Sequence, residues 1–333
     1  MYSIRSVKYI TESEWHEYFE MSQELNEKYY PERFNKNKTL DEFRTKVLHS
    51  FNNVKCYDNY LVKIDDSPIG WFYITTWGEV LYVGLYVNED VIDDFLFKEV
   101  LTIVYGLMKE MNYNELFTSS YRKANIDLFI KQNAEITEEF VSSHLLKSEI
   151  NVKQLTEITE DFEMIGKELI YCKQIDERFI ESYLECFNLA FIDLMNLNRT
   201  IFKYEPFTKE QLISNQNSGS DKRIILLLDK AKNVVGFSEL YYIKERKLFS
   251  CDSGFTAVHP VHRGNGIAKY LKAKLYLNLL NEEIEFDRVN TNTLEYNKYI
   301  NRINCELGFK EYRRGYSFRL TKETIEKTIK DIE

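Results

Sequence analysis

Phe255 to Leu280 reads FTAVHPVHRGNGIAKYLKAKLYLNLL. An apolar strand end runs into Arg263-Gly264-Asn265-Gly266-Ile267-Ala268 and then into an amphipathic helix with Tyr270, Leu271, Leu275 and Leu279 near one face. Glycines let the backbone approach a ligand and turn its amides inward, and the helix start adds unpaired N–H groups at the positive end of its dipole. That geometry suits a pyrophosphate. Between His259 and Leu275 stand Arg263, Lys269, Lys272 and Lys274, two histidines and no acid. The bland alternative is a surface turn with a solvated basic helix face. His259 and His262 have an HxxH spacing, but no nearby carboxylate or cysteine completes a ligand set, so no metal is expected.

The rest of the chain has the opposite charge. Its 333 residues carry 44 Lys plus Arg against 53 Asp plus Glu, a net charge of -9 that disfavours nucleic-acid and anionic-membrane partners. Hydrophobic residues at 44% suffice for a packed core, and the length exceeds what one core usually serves, so two domains are expected. The opening MYSIRSVKYITESEWHEYFE has no apolar h-region, and no later window is long enough to cross a bilayer. A cytoplasmic protein is expected. The five cysteines are widely spaced and form no CxxC, which fits reduced thiols.

The boundary signal is a change of pattern at NVKQLTEITEDFEMI, which reads as a linker over 151–165 between domains of residues 1–150 and 166–333. In the second stretch the pattern predicts helices at Ile175 to Ala190 and from Thr208. Strands follow at Arg223 to Asp229, Val234 to Ile243 and Leu248 to Val258, then a helix from about Asn265 to Leu280. A strand at Arg288 to Thr293, a helix at Asn297 to Leu307 and a hairpin to Leu320 complete it. The first stretch offers counterparts in the same order. PIGWFYI around Gly70 matches VVGFSEL around Gly236, and FTSSYRKANIDLFIKQN around Asn125 matches VNTNTLEYNKYINRIN around Asn297.

Val258-x-Pro260-x-x-Arg263-Gly264-x-Gly266-Ile267-Ala268, with Asn297-x-x-Ile300-x-x-Ile303-Asn304-x-x-Leu307-Gly308-Phe309 downstream, resembles the GCN5-related N-acetyltransferase (GNAT) superfamily. These residues match its acyl-CoA loop and its later helix ending in Leu-Gly-Phe. The strict resemblance covers the second half, and the division into a degenerate and an intact half is similar to mycothiol synthase-like tandem acetyltransferases. It implies an α/β fold of two domains, each a mixed, mostly antiparallel sheet flanked by helices, whose fourth and fifth strands splay apart around acetyl-CoA as co-substrate. Carried over by position, Thr256, Ala257 and Val258 would pair with the pantetheine, and amides from Arg263, Gly264, Asn265, Gly266, Ile267 and Ala268 would hold the pyrophosphate. Asn297 would reach the pantetheine arm. A bulge near Thr256 would free strand groups for the ligand. In the first half LYVGLYVNEDVIDDFLFKEVL places Glu89, Asp90, Asp93 and Asp94 where phosphates would sit, so that half is expected to support rather than bind. An acyl-CoA sensor that lost the chemistry is the alternative from another class.

Acyl transfer from a thioester to a primary amine of a small molecule or peptide needs a base, because a free alkylamine is mostly protonated at neutral pH. Glu239, mid-strand in GFSELYY, is the first candidate, with a solvated strand face as its plain alternative, and Asp252 is the second. Where the family often places a tyrosine as proton donor to the CoA sulfur, this chain has Asn304. Trp71 and Trp77 in WFYITTW could line an apolar pocket, and more simply belong to sheet core.

Overall fold

The computed structural model describes residues 2–31, 34–35, 37–53, 58–77, 80–163, 166–197, 205–216, 221–243, 250–282 and 284–331. They divide into two compact units, Met1–Glu139 with Arg314–Glu333, and Phe140–Arg313. The chain thus crosses between units twice, within two long strands.

The first unit contains strand Tyr2–Ser6 (β1), helices Glu12–Tyr29 (α1) and Leu40–Asn53 (α2), and the antiparallel strands Asp58–Ile64 (β2), Ser67–Trp77 (β3) and Val80–Val87 (β4). Helix Asp94–Glu110 (α3) leads to strand Glu115–Ser120 (β5), which runs parallel to β4, and helix Lys123–Lys131 (α4) leads into strand Glu135–Leu146 (β6). The second unit repeats the order. Helix Val152–Glu160 (α5) and strand Glu168–Cys172 (β7) precede helices Ile180–Leu197 (α6) and Lys209–Gln216 (α7). The antiparallel strands Asp221–Leu228 (β8), Val234–Ile243 (β9) and Ser250–Val258 (β10) follow, then helix Ile267–Asn281 (α8) and strand Arg288–Leu294 (β11), parallel to β10. Helix Lys298–Glu306 (α9), strand Lys310–Thr321 (β12) and helix Lys322–Asp331 (α10) end the chain.

The run Ile224 to Leu228 has no polar alternation because both of its faces are covered. Ile225 and Leu227 join the core under α8, whereas Ile224, Leu226 and Leu228 join the core under α6. Trp71 belongs to a first-unit core with Trp15 and Tyr18 and stacks on Tyr86 at 4.9 Å. The side chain of Trp77, like Leu248 and Phe249, lies outside the described residues. Among the described residues no helix is long and apolar enough to cross a membrane.

Three sequence expectations change. Residues 151–165 contain α5, which contributes Leu155 to the second unit's core rather than serving as a linker. The expected hairpin is one continuous strand, β12, followed by α10. The unit boundaries fall inside β6 and β12: residues 140–146 of β6 pair antiparallel with β11, and Tyr316–Thr321 of β12 pair with β5. Each unit therefore completes its sheet with a strand that a contiguous reading assigns to the other.

The repeat is real but its later register shifts. α4 and α9 have equal length and begin at Lys123 and Lys298, an offset of 175, and the left-handed residues that end them, Asn133 and Gly308, keep it. Arg122, not Asn125, is thus the counterpart of Asn297, each standing at the N-cap of its helix.

Candidate active site

β10 and β11 pair only through Ser250, Cys251 and Asp252 on one side and Arg288, Val289 and Asn290 on the other. Beyond Asp252 the strands part. Among the described residues no strand then pairs along that edge of β10, although Thr256, Ala257 and Val258 stay bonded to β9 on the other side. The β9–β10 register also slips between Ser253 and Thr256, so Gly254 and Phe255 bulge opposite Glu239. Gly254 is needed there because an added Cβ would lie 2.8 Å from the Glu239 Cβ and 2.6 Å from the Tyr241 ring.

From β10 the chain enters the glycine loop. Gly264 and Gly266 adopt φ of 80° and 75°, a region costly for other residues, and added Cβ atoms would meet nothing within 4 Å. Gly266 is the N-cap of α8 and offers no capping side chain, which leaves the first helical amides open. The Asn265 side-chain amide donates to the carbonyls of His262 and Arg263. Arg263 Nε donates to the Val258 carbonyl at 3.0 Å and its Nη1 to Asp193 at 2.5 Å, tying the loop to the end of β10 and to α6. Ile267 is buried and Ala268 half-buried, both against the core under α8, so only their backbones remain for a ligand.

The other expected residues lie on β10 and on α9 with its N-cap. The Thr256 and Ser238 hydroxyls share a 2.9 Å hydrogen bond, and Ala257 and Val258 point into opposite cores. Asp252, at the closed end, accepts from the Asn290 side-chain amide at 3.3 Å. Asn297 caps α9 by accepting from the Ile300 amide. Asn304 is 4% exposed, and among the described residues its Oδ1 has no hydrogen-bond partner, as is also true of Asn290 Oδ1 and of Asn125 Oδ1 in the first unit. Among the described residues no group of three or more His, Cys, Asp or Glu gathers as metal ligands.

Glu239 is 4% exposed, not on a solvated face. It accepts from the Tyr183 hydroxyl of α6 at 2.8 Å and from the Tyr241 hydroxyl at 3.4 Å. Burial raises its pKa above the usual carboxylate range, against the opposing pull of Tyr183, Lys222, Tyr241 and the Phe255 amide. Tyr183 and Lys222 could not be selected from sequence: one is among 24 tyrosines, and the contact depends on where α6 crosses β9.

The first unit builds the same fork and closes it. β4 and β5 pair through Leu81, Tyr82 and Val83 only, with no register slip between β3 and β4. Where the strands part, the Asn125 side-chain amide donates to the Leu85 carbonyl and Arg122 to the Val87 carbonyl, while Arg122 Nε bonds Glu89 at 3.3 Å. Arg122 is 3% exposed, with its guanidinium 4.1 Å from the Tyr29 ring centroid. The acids expected to repel phosphate have structural partners: Asp90 pairs with Lys28, Asp94 with Lys131, and Asp93 caps α3 through the Leu96 amide. Arg122→Ala should destabilise this unit by about 2–4 kcal/mol, because it strips the Val87 carbonyl and Glu89 of a buried partner. Denaturant unfolding measures it, and a loss below about 1 kcal/mol would rule out that role.

Solved structures with this architecture have been described. A tandem GNAT protein from the clavulanic acid biosynthesis pathway, solved without acetyl-CoA, aligns with a TM-score of 0.71 at 12% identity over 97% of this chain and 99% of its own. The chain has the tandem GNAT fold. A GCN5-related N-acetyltransferase from Sphaerobacter thermophilus shares this fold with a TM-score of 0.64 at 12% identity, covering 96% of each chain. The glucosamine N-acetyltransferase region of a fungal multi-domain β-N-acetylglucosaminidase aligns at 0.62 and 10% identity over 96% of this chain and 38% of that one. No family model and no curated protein sequence matches the chain.

Proposed function

We propose that the second unit binds acetyl-CoA and transfers its acetyl group to the primary amine of a small molecule or peptide. The observation that carries this reading is the fork itself: an unpaired edge of β10 beyond Asp252 leads to a glycine loop whose amides open at the start of α8. Backbone groups of Thr256, Ala257 and Val258 along that edge would take the pantetheine, and amides from Arg263 to Ala268 the pyrophosphate. Asn297 and Asn304 lie on the helix that follows β11, and the free Oδ1 of Asn304 is an acceptor for a pantetheine amide. Holding donor and acceptor side by side supplies much of the rate through proximity. Glu239, beneath the bulge, takes the amine proton, and its raised pKa makes it a better base near neutral pH than an exposed carboxylate. Asp252 is the second candidate base. We place the protein in the cytoplasm.

One observation favours a second reading, an acyl-CoA-binding module without chemistry. Glu239 is sealed under Tyr183 and Tyr241, and the aromatic rings of Phe187, Phe237 and Phe255 cluster on the same side of the sheet. Calorimetry with acetyl-CoA tests what both readings share, with one site per chain as the expected result. Release of free thiol across a panel of amines, peptides and aminoglycosides separates them. Binding without release on any amine would favour the module, and two equivalent sites or none would remove both.

The first unit's role is tested by replacing Asp93 and Asp94 together with Ala. The lost cap should lower stability by about 1 kcal/mol while acetyl-CoA affinity stays within about twofold of the parent. A tenfold or greater loss of affinity in the folded variant would give the first unit a part in binding.

A further inference from the structure

Lys272 of α8 is 1% exposed, yet no carboxylate bonds it among the described residues. Its Nζ donates to Ser253 Oγ at 2.9 Å, and the Tyr276 hydroxyl reaches the same oxygen at 3.5 Å. Ser253 is the first residue of β10 past the last pair with β11, so the amine sits under the point where the strands part. Lys272 Nζ lies 5.7 Å from the centroid of Phe309, and the Phe309 amide bonds the Asn304 carbonyl. Phe309 and Leu307, at the end of α9, share one core with the α8 residues around Lys272.

An isolated ammonium in an apolar core is costly, and methionine would fill the same space without that cost. Asn304 has no proton of useful acidity to give. We propose that Lys272, bonded to Ser253, is the proton donor to the departing thiolate in the acyl transfer set out above, on which this inference rests. The amine nitrogen forms its bond to the acyl carbon, the carbon–sulfur bond breaks, and its electron pair stays on sulfur. Lys272 gives that sulfur a proton, through Ser253 Oγ or directly. The proton lost by the amine goes to Glu239, and exchange with solvent restores both groups.

The surroundings suit the task. Among the described residues, the groups facing the amine are Ser253 of β10, Tyr276 one turn along α8 and the Phe309 ring, with Cys251 next to Tyr276. From α5, β8 and β9 the neighbouring core presents Leu155, Ile225, Leu227 and Leu240, all apolar. Burial alone brings the Lys272 pKa down to about 7. The Tyr276 hydroxyl is pushed up by the same burial and is a poor acid. A group near 7 can give its proton downhill to a thiolate whose conjugate thiol has a pKa of about 8.5.

The test follows thiol release by the full-length protein as pH is raised, with whichever amine the panel identifies. In the parent, turnover should fall as pH rises through the lowered pKa of the amine, because the donor loses its proton. In Lys272→Met, turnover should drop roughly a hundredfold and that alkaline limb should vanish, with CoA affinity by calorimetry within about threefold. A packing role for Lys272 would leave the alkaline limb in place, so the same limb in parent and Lys272→Met overturns the proposal. Thermal unfolding gives a check that needs no ligand. A lysine with a depressed folded-state pKa destabilises fully below that pKa, and the penalty fades as pH rises toward its unfolded value. Lys272→Met should therefore raise the unfolding temperature more at about pH 6 than at about pH 9. An equal gain at both, or a loss at both, would count against a titrating Lys272. If the parent binds no CoA, the transferase reading falls first, and the unfolding comparison still decides whether the amine titrates.

Discussion

Gly266→Glu should lower acetyl-CoA affinity by at least ~100-fold while leaving a folded protein, because it sets a carboxylate where the pyrophosphate must lie. Two like charges about 4 Å apart repel by about 4 kcal/mol at an effective dielectric near 20, worth about three powers of ten in affinity. The longer glutamate chain can turn partly away, so the smaller figure is the expectation. Folding is affected less. An added Cβ meets no atom within 4 Å, so the penalty is the left-handed φ of 75°, about 1–2 kcal/mol. Gly266→Asn separates charge from backbone strain, since asparagine tolerates that conformation. It should keep affinity within about tenfold. Calorimetry with acetyl-CoA decides the matter: Glu and parent binding within threefold would take the pyrophosphate away from this loop.

Glu239→Gln should reduce turnover on whichever amine the release screen identifies by roughly a hundredfold, with acetyl-CoA affinity almost unchanged. The amide fills the same space and still accepts from Tyr183, but cannot take a proton. Because burial raises the carboxyl pKa, parent activity should rise with pH through that value as the base ionises, and the rise should vanish in the variant. Tyr183→Phe supplies the sign. The tyrosine hydroxyl stabilises the ionised form, so its removal should move the acid limb to higher pH. Turnover within a few-fold of the parent in Glu239→Gln would dismiss Glu239 and shift attention to Asp252, which sits at the closed end of the fork beside Asn290.

The residues of the loop were readable in order because their requirements are local. Two glycines, a basic flank and an amphipathic helix stand next to one another in the chain, and nothing distant is needed to recognise them. The tandem α/β fold was legible for the same reason, since each half repeats one run of strands and helices. Glu239 marked itself as a charge inside an apolar strand, but the sequence left its surroundings open, and only the crossing of α6 over β9 made it buried and bonded to Tyr183. Arg122 gave no signal at all, because its meaning depends on a carbonyl 35 residues earlier in the chain.

Composition and short-range order were enough for the tandem α/β architecture and for the contrast between a glycine loop in one half and an acidic stretch in the other. The strand exchange within β6 and β12, the three-residue shift that sets Arg122 opposite Asn297, the closed fork of the first unit and the buried amine beneath the open one came only from tertiary structure. The physical reason is range. A turn or a helix face is decided by neighbours a few residues away, whereas a strand's partner, or the burial of one lysine, depends on segments far apart in the chain. Strands with similar alternation pair equally well until the whole sheet has formed.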